Sequence, residues 1–308
     1  MGGLAIGTMN FGKRTPRPEA LRIVARAIER GHTFFDTANV YEAGESERIL
    51  GAALGQKRGE CRIASKVGLA RKGRKVEGLG REAVLRACDE SLLRLGTDYL
   101  DVYYLHAPDY GVPIEETLGA IFDLVARKKI RGFGVSNFAS WQILEIMMLC
   151  DRAGMARPAM SQQLYNLLIR QLDVEYFKFA RRYTIHTTVY NALAGGLLAR
   201  EHTESTVPAG SRFDKNTMYQ RRYWSTHMFS NVRALRTLAG EQGMTLAELA
   251  YAWLAGTSGV DSILLGPASV DQLDMAIDAC ARTLPSEGRV KIDEQYVAFT
   301  GTDTTYAR

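Results

Sequence analysis

The chain has 308 residues, 46% of them apolar, enough for two ordinary domains or for one barrel of repeated β/α units. Its formal charge of +5, with no low-complexity tail or nucleic-acid motif, argues against a nucleic-acid-binding protein. Cys61, Cys88, Cys150 and Cys280 are too widely spaced for CxxC pairs and too few for a disulfide framework, so zinc and redox-thiol chemistry are not expected and buried thiols are.

Taken in chain order, the opening run Met1 to Gly7 lacks the basic start, long apolar core and cleavage site of a secretory signal, and Ile6 stands where a myristoylation signal wants Ser or Thr. No apolar run approaches the about 20 residues of a membrane helix. The expectation is a cytoplasmic protein with neither membrane nor nucleic-acid partners. No Pro/Gly/Ser-rich linker or composition break divides the chain, which predicts one domain over residues 1–308.

The first apolar run predicts a strand near 4–10, followed by the cations Lys13, Arg14 and Arg17 and a helix over 17–31 striped by Leu21, Val24, Ala25 and Ile28. A second strand, 33–38, runs into Asp36-Thr37-Ala38-Asn39-Val40-Tyr41 ahead of a helix over 45–55. The third, 61–67, carries Ser65-Lys66-Val67 and precedes the basic loop Arg71-Lys72-Gly73-Arg74-Lys75 and a helix over 81–95. The fourth, 100–107, carries Leu105-His106-Ala107, and a helix over 114–129 follows. The fifth, 130–136, leads to Ser136-Asn137 and a helix over 139–153, and the sixth, 159–164, contains Gln162 before a helix over 173–183. The seventh, 186–192, contains Tyr190 and meets Leu193-Ala194-Gly195-Gly196-Leu197-Leu198. A polar loop over 199–228 comes next, long enough to suggest a lid or clamp, then helices near 229–242 and 245–256. An eighth strand, 262–267, and a helix over 270–282 complete the pattern.

Short β-rich runs alternating with helical segments indicate a parallel sheet, and eight such runs give a (β/α)8 TIM barrel of the α/β class. The C-terminal ends of barrel strands converge on one face, so Asp36, Tyr41, Lys66 and His106 can meet although scattered in sequence. Individually each has a plainer reading: a cap, rim packing, a surface lysine, a loop histidine. Together, after consecutive strands, they suggest proton donation. A phenol with a pKa near 10 is a weak acid at neutral pH unless a cation favours its ionised form. Lys66 can supply that charge, Asp36 can hold the lysine, and His106 can orient a carbonyl oxygen.

The other strand ends offer Ser136, Asn137 and Gln162 as partners for a carboxamide and Tyr190 as a flat face for a ring, a set that suits a nicotinamide. No GxGxxG opens a helix after the first strand. The glycines at 195 and 196, after the seventh strand, instead let backbone N–H groups approach a pyrophosphate. The two basic groups, placed on the same face, suit an anionic cofactor or substrate.

These residues resemble the aldo-keto reductase family. The resemblance rests on Gly7-Thr8-Met9-Asn10-Phe11-Gly12, Asp36 to Tyr41 with Gly44-Glu45-Ser46-Glu47, Ser65-Lys66-Val67-Gly68, Leu105-His106-Ala107-Pro108-Asp109 and Gly134-Val135-Ser136-Asn137-Phe138. Gln162 with Tyr165-Asn166, the run from Tyr190 to Leu198, and Leu265-Gly266-Pro267-Ala268-Ser269 with Gln272-Leu273 continue it in order over nearly the whole chain. It implies that Tyr41 is the general acid, that Lys66 and Asp36 tune it, and that His106 positions the carbonyl while a nicotinamide delivers hydride. It implies cofactor contacts from Thr8, Met9, Asp36, Ser136, Asn137, Gln162, Tyr190, Leu193, Gly195, Leu197, Arg212, Gly266, Ser269 and Gln272, and substrate contacts from Asn10, Tyr41 and His106.

Gly210-Ser211-Arg212-Phe213 and Tyr219-Gln220-Arg221-Arg222-Tyr223-Trp224 look most like the aflatoxin-aldehyde and succinic-semialdehyde reductase branch. That branch implies that Arg222 meets a substrate carboxylate and that Tyr223 or Trp224 walls the pocket; the alternative is an aromatic-basic helix packed on the barrel. Three features depart from the family pattern. The chain starts almost at the first strand, where the family has a hairpin plugging the barrel bottom, which a homodimer or a truncation would explain. Ala268 and Ala276 stand where an arginine and an asparagine are frequent, which weakens the expected grip on the 2′-phosphate and adenine of NADPH. Asn191 replaces a more usual serine. With Ser269 and Gln272 in place, the expectation is NADPH-dependent reduction of aldehyde or ketone carbonyls, NADH being the other possible donor. The alternatives are a nucleotide-binding regulatory barrel like a channel β-subunit, with little turnover, and a reductase of a nucleotide-linked keto sugar.

Overall fold

The computed structural model describes residues 3–73 and 75–301. Arg74 of the basic loop after the third strand and the ends of the 1–308 assignment, 1–2 and 302–308, lie outside the described residues. Eight strands form a closed parallel barrel: β1 Gly3–Gly7, β2 Phe34–Asp36, β3 Arg62–Val67, β4 Val102–Leu105, β5 Phe133–Ser136, β6 Met160–Leu164, β7 His186–Tyr190 and β8 Ser262–Leu265. Each pairs with its successor in sequence, and β8 closes on β1 through Gly3–Ser262 to Ile6–Leu265. The eight predicted strands are all present, several of them shorter at their C-terminal ends. In β1 the ladder stops at Gly7 because residues 8–15 fold into a tight loop in which Asn10 O accepts from the backbone N–H groups of Lys13, Arg14 and Thr15.

Inside the barrel, Ala5, Phe34, Ala64, Val102, Tyr104 and Met160 form one buried cluster, as expected where inward positions of neighbouring strands stack in layers. Gly134 is required there: a Cβ would lie 2.5 Å from the Tyr104 ring and 2.8 Å from Met160 O. The outer core lies between strands and helices, and the stripe of α1 (Arg17–Glu29) buries Ala20, Ile23, Val24 and Ala27. Of the predicted stripe Val24 is buried and Ile28 partly so, while Leu21 and Ala25 are exposed, so the buried face is turned from the predicted one. All four cysteines are free and buried.

Helices α2 Glu45–Leu54, α3 Arg81–Leu95, α4 Ile114–Ala126, α5 Ser140–Arg152 and α6 Tyr176–Tyr183 fall where periodicity predicts them. The stretch 199–228 is less irregular than expected, because it holds α7 (Thr217–Tyr223), capped by Asn216 accepting from Tyr219 N, and the start of α8 (Thr226–Glu241), capped by Ser225. After α9 (Leu246–Ala255) and α10 (Val270–Ala281), a further helix, α11 (Ser286–Thr300), had no sequence signal. It buries only Gly288 and Ile292 and is fastened by polar contacts: Arg170 to Asp293 at 2.6 Å, Gln295 to Asn231 at 3.0 Å, and His227 to Phe299 O at 2.7 Å. A helix held mainly by polar contacts has no apolar period to read. Among the described residues no helix is long and apolar enough to cross a membrane.

Candidate active site

Asp36 ends β2, Lys66 lies on β3, His106 follows β4, and Tyr41 begins the turn between β2 and α2. The barrel brings all four together at its C-terminal face. Lys66 is fully buried; its Nζ donates to Asp36 Oδ1, to Thr37 O at 2.7 Å and to the Tyr41 hydroxyl at 3.3 Å. Burial disfavours the lysine's charge, but Asp36, followed by Tyr41, outweighs it and the ammonium is held above its usual pKa. The phenol of Tyr41 is pushed above its usual value by burial, with Asp36 adding to the rise, while Lys66 pulls the other way. The lysine thus acts in the direction expected from sequence, but burial prevails and Tyr41 stands as the neutral, proton-bearing phenol.

The ring of His106 lies 6.0 Å from that of Tyr41, edge to face. It is buried, its Nδ1 has no partner, and burial, then the charge of Lys66, lowers its pKa to about 3. A neutral imidazole beside a phenol adds an N–H donor to the phenol's O–H for one oxygen without bringing a second cation into the pocket.

The turn that carries Tyr41 is strained. Glu42 (φ 45°), Ala43 (φ 52°) and Gly44 (φ 87°) all lie in the left-handed region, disfavoured for an L-residue with a Cβ by about 1–2 kcal/mol each. Such backbone persists only where its surroundings hold it. Ser46 supplies part of that hold: its hydroxyl donates to Thr8 O at 2.8 Å and lies 2.7 Å and 3.1 Å from the hydroxyls of Thr8 and Thr37. Glu77 braces the other side, accepting from Asn39 Nδ2 and from Gly68 N, both at 2.9 Å. No role for Ser46, Glu77 or the Thr37 carbonyl was readable beforehand, since each acts through a contact distant in sequence.

The strand-end amides are placed differently from the simplest expectation. Gln162 is buried and donates through Nε2 to Asp36 Oδ2 at 2.9 Å, so it braces the carboxylate that holds Lys66. Asn137, left-handed at φ 64°, donates to His106 O at 2.9 Å and Ser136 Oγ at 3.0 Å and accepts from the Tyr190 hydroxyl at 2.6 Å. Ser136, Asn137 and Tyr190 are thereby one connected group.

Thr8 is buried and Met9 is exposed, while Asn10 is tied at both ends, donating to Gly266 O at 3.0 Å and accepting from Arg212 at 3.1 Å. Arg212 thus carries the segment after β7 across the mouth to the β1 loop. Leu193 precedes the short turn Ala194–Gly196; Gly195 (φ 72°) and Gly196 (φ 104°) are left-handed, and Leu197 points into the core. A Cβ on Gly196 or on Gly266 would meet nothing within 4 Å, which leaves open space against both backbones. At α10, Ser269 Oγ accepts from Gln272 N at 3.2 Å and Gln272 Oε1 from Ala268 N at 2.9 Å, so these side chains close their own helix end. The group at Ser136, Asn137 and Tyr190, the open glycines and Arg212 fit a nicotinamide nucleotide. Of the basic groups, Lys13 is paired with Glu42 at 3.2 Å, and Arg14 has its charge disfavoured by burial and then by Arg212.

The aromatic-basic helix departs from one expectation. Tyr223 is fully buried and its hydroxyl accepts from Asn191 at 2.7 Å and Asn166 at 3.2 Å, so it packs rather than walling an open pocket. Trp224 is half-buried, donates to Glu204 O at 2.9 Å and packs against Phe213 and Phe229. Arg222 is half-buried and its charge reaches Tyr190, whose phenol burial pushes up to about 12. A separate cavity of about 340 Å³, lined by Pro108, Tyr110, Phe138 and Trp141 among others, touches none of the four central residues.

Comparison with known proteins matches residues 3–296 to the model of the aldo/keto reductase family. Among curated relatives, human aflatoxin B1 aldehyde reductase member 2 is 36% identical over 293 residues, covering 89% of this chain and 80% of that protein. Human aldo-keto reductase family 7 member A3 is 34% identical over 89% of this chain and 87% of its own length. A probable voltage-gated potassium channel subunit beta from Arabidopsis thaliana is 31% identical over 88% and 86%.

Proposed function

The chain belongs to the aldo/keto reductase family, an NAD(P)H-dependent oxidoreductase by that membership, and from this premise we propose that it reduces aldehyde or ketone carbonyls to alcohols with NADPH, Tyr41 being the general acid. The observation that carries the reading is the buried Lys66 ammonium between Asp36 and the Tyr41 hydroxyl, 3.3 Å from the latter.

When bound, the nicotinamide supplies the hydride that reaches the carbonyl carbon. Tyr41 gives its hydroxyl proton to the carbonyl oxygen, which completes the alcohol. Lys66 stabilises the phenolate that remains, and Asp36, braced by Gln162, keeps the lysine charged. Neutral His106 directs an N–H at the same oxygen and fixes its approach. Ser136, Asn137, Gln162 and Tyr190 would hold the nicotinamide, with Thr8 and Met9 beside it, and Leu193, Gly195, Leu197 and Arg212 would hold the pyrophosphate. Gly266, Ser269 and Gln272 would take the adenosine end, and the cations at the mouth, Arg14 beside Arg212, suit an anionic nucleotide. Arg222 faces an anionic substrate group, and aldehydes of the kind in the relatives' names fit the aromatic surroundings.

Tyr41→Phe is the test. Its turnover of NADPH with a panel of aromatic, dicarbonyl and carboxylated aldehydes is expected to fall by about 10²–10⁴, with nucleotide binding retained. Undiminished turnover would remove Tyr41 from its role. The similarity to a potassium channel β-subunit favours a second reading, a nucleotide-binding regulator; tight NADPH binding by the wild-type protein without turnover of any aldehyde would favour it.

A further inference from the structure

Resting on the role of Tyr41 just proposed, we infer that the buried chain Ser65–Glu47–Arg94 is a positioning device for the proton donor, fixing the phenol of Tyr41 relative to Lys66. Glu47 is fully buried on the first turn of α2. Its Oε1 accepts from Ser65 Oγ at 2.5 Å and its Oε2 from Arg94 Nε at 2.5 Å. Ser65 is the residue before Lys66 on β3, so one carboxylate oxygen is anchored next to the lysine. The other is anchored to α3, where Arg94 also donates to Ser91 Oγ at 3.2 Å.

Arg94 in turn supports the strained turn directly. A Cβ on Gly44 would stand 2.6 Å from Arg94 Cδ and 2.7 Å from Nε, so the guanidinium stem lies against the backbone where the left-handed run ends. Only two residues separate that point from Tyr41. Seven residues further on, a Cβ on Gly51 would be 2.3 Å from Leu95 O, so α2 is pressed on α3 along its length. Three successive left-handed residues would relax toward ordinary backbone if their C-terminal end were released. The phenol at their N-terminal end would then swing from Lys66. The strut therefore acts through Tyr41 and touches neither substrate nor cofactor.

The chain carries information that a purely stabilising ion pair would not. It links the lysine's strand to the tyrosine's turn, so its loss changes the relation between the acid and the cation beside it. The test uses Glu47→Gln, which keeps shape and the bond from Ser65 but removes the charge that orders Arg94, and Arg94→Lys, which keeps charge but loses the stem along Gly44. For each, kcat and KM with a turned-over aldehyde are measured at saturating NADPH across the alkaline range, together with NADPH affinity and the unfolding midpoint. The expected result is a kcat lower by roughly ten- to a hundredfold, a displaced alkaline limb of the pH profile, and unchanged NADPH affinity and KM. Because Arg94 has 15% of its side chain exposed, free guanidinium ion should restore part of the kcat of Arg94→Ala. Wild-type kcat and pH profile in both Glu47→Gln and Arg94→Lys, whatever the unfolding midpoint, overturn the inference. Should Arg94→Lys not fold, Glu47→Gln decides alone. Full activity of Tyr41→Phe overturns the functional reading, whereas crippled Tyr41→Phe with wild-type kcat in both strut variants overturns the strut alone.

Discussion

Replacing Asp36 by Asn exposes the central electrostatic arrangement most directly. Lys66 is fully buried, and among the described residues Asp36 is the one carboxylate that bonds its ammonium; its other acceptors there, Thr37 O and the Tyr41 hydroxyl, are neutral. Breaking a buried pair by removing one partner costs about 3–5 kcal/mol because the other charge is left uncompensated. At about 2.1 cal/mol/K of unfolding entropy per residue, a chain of this length loses roughly 5–8 °C of melting temperature. The pH dependence gives a sharper check. In the wild type the folded pKa of Lys66 lies above its unfolded value, so its stabilising contribution is complete below the unfolded pKa and is lost as pH rises through the folded one. In the variant, burial acts unopposed by a carboxylate and drives the folded pKa below the unfolded value. Between those two values the unfolded chain then binds more protons than the folded one, and stability rises with pH, by at most about 1.4 kcal/mol per unit. Urea unfolding of both proteins at neutral pH and near pH 9.5 measures this. The deficit of Asp36→Asn should narrow at the higher pH, with turnover lost at both. A deficit that is negligible, or that widens as pH rises, would refute the reasoning.

Other outcomes follow from the same geometry. His106, lowered to about 3 mainly by burial, binds fewer protons folded than unfolded from there up to its ordinary value, so its contribution to stability is complete above that value and lost as pH falls toward 3. His106→Gln should therefore show a shallower loss of stability than wild type between pH 6 and 4, and equal slopes in parallel denaturation series would contradict a neutral buried ring. Tyr223→Phe leaves the amides of Asn166 and Asn191 without their shared acceptor, which is expected to destabilise by about 1–3 kcal/mol with substrate KM unchanged. A raised KM with unaltered denaturant midpoint would instead make Tyr223 a pocket wall.

Much of the architecture was legible because its signals are local. Each β/α unit announces itself through a short β-rich run followed by a helical stripe, and the parallel barrel follows from counting eight of them. The same rule placed Asp36, Lys66 and His106 at one face, since side chains at strand ends have no choice of neighbourhood once the barrel closes. What escaped was whatever depends on partners far apart in sequence and lacking an apolar period. Helix α11 is the clearest case, with Arg170 and Asn231 as its distant anchors. Helix α7 was hidden inside a polar stretch for a similar reason, its about two turns being short and its buried members, Tyr219 and Tyr223, aromatic.

At the site the division is finer. Residue identity alone determined that a tyrosine, a lysine, an aspartate and a histidine would meet, because topology fixes which strand ends converge. Only the tertiary structure decided their electrostatics, since the net shift of each group depends on burial against distances that no spacing encodes. Burial, more than the neighbouring cation, sets the protonation of Tyr41, and the same burial keeps His106 uncharged. Tertiary packing also bonded Gln162 to Asp36 and turned Tyr223 into the core, because a side chain's partner is chosen by three-dimensional proximity among several chemically suitable groups. Sequence supplied the functional groups and the scaffold's symmetry; the angle of a strained turn, and the buried carboxylate that holds it, exist only once α2, α3 and β3 are packed together.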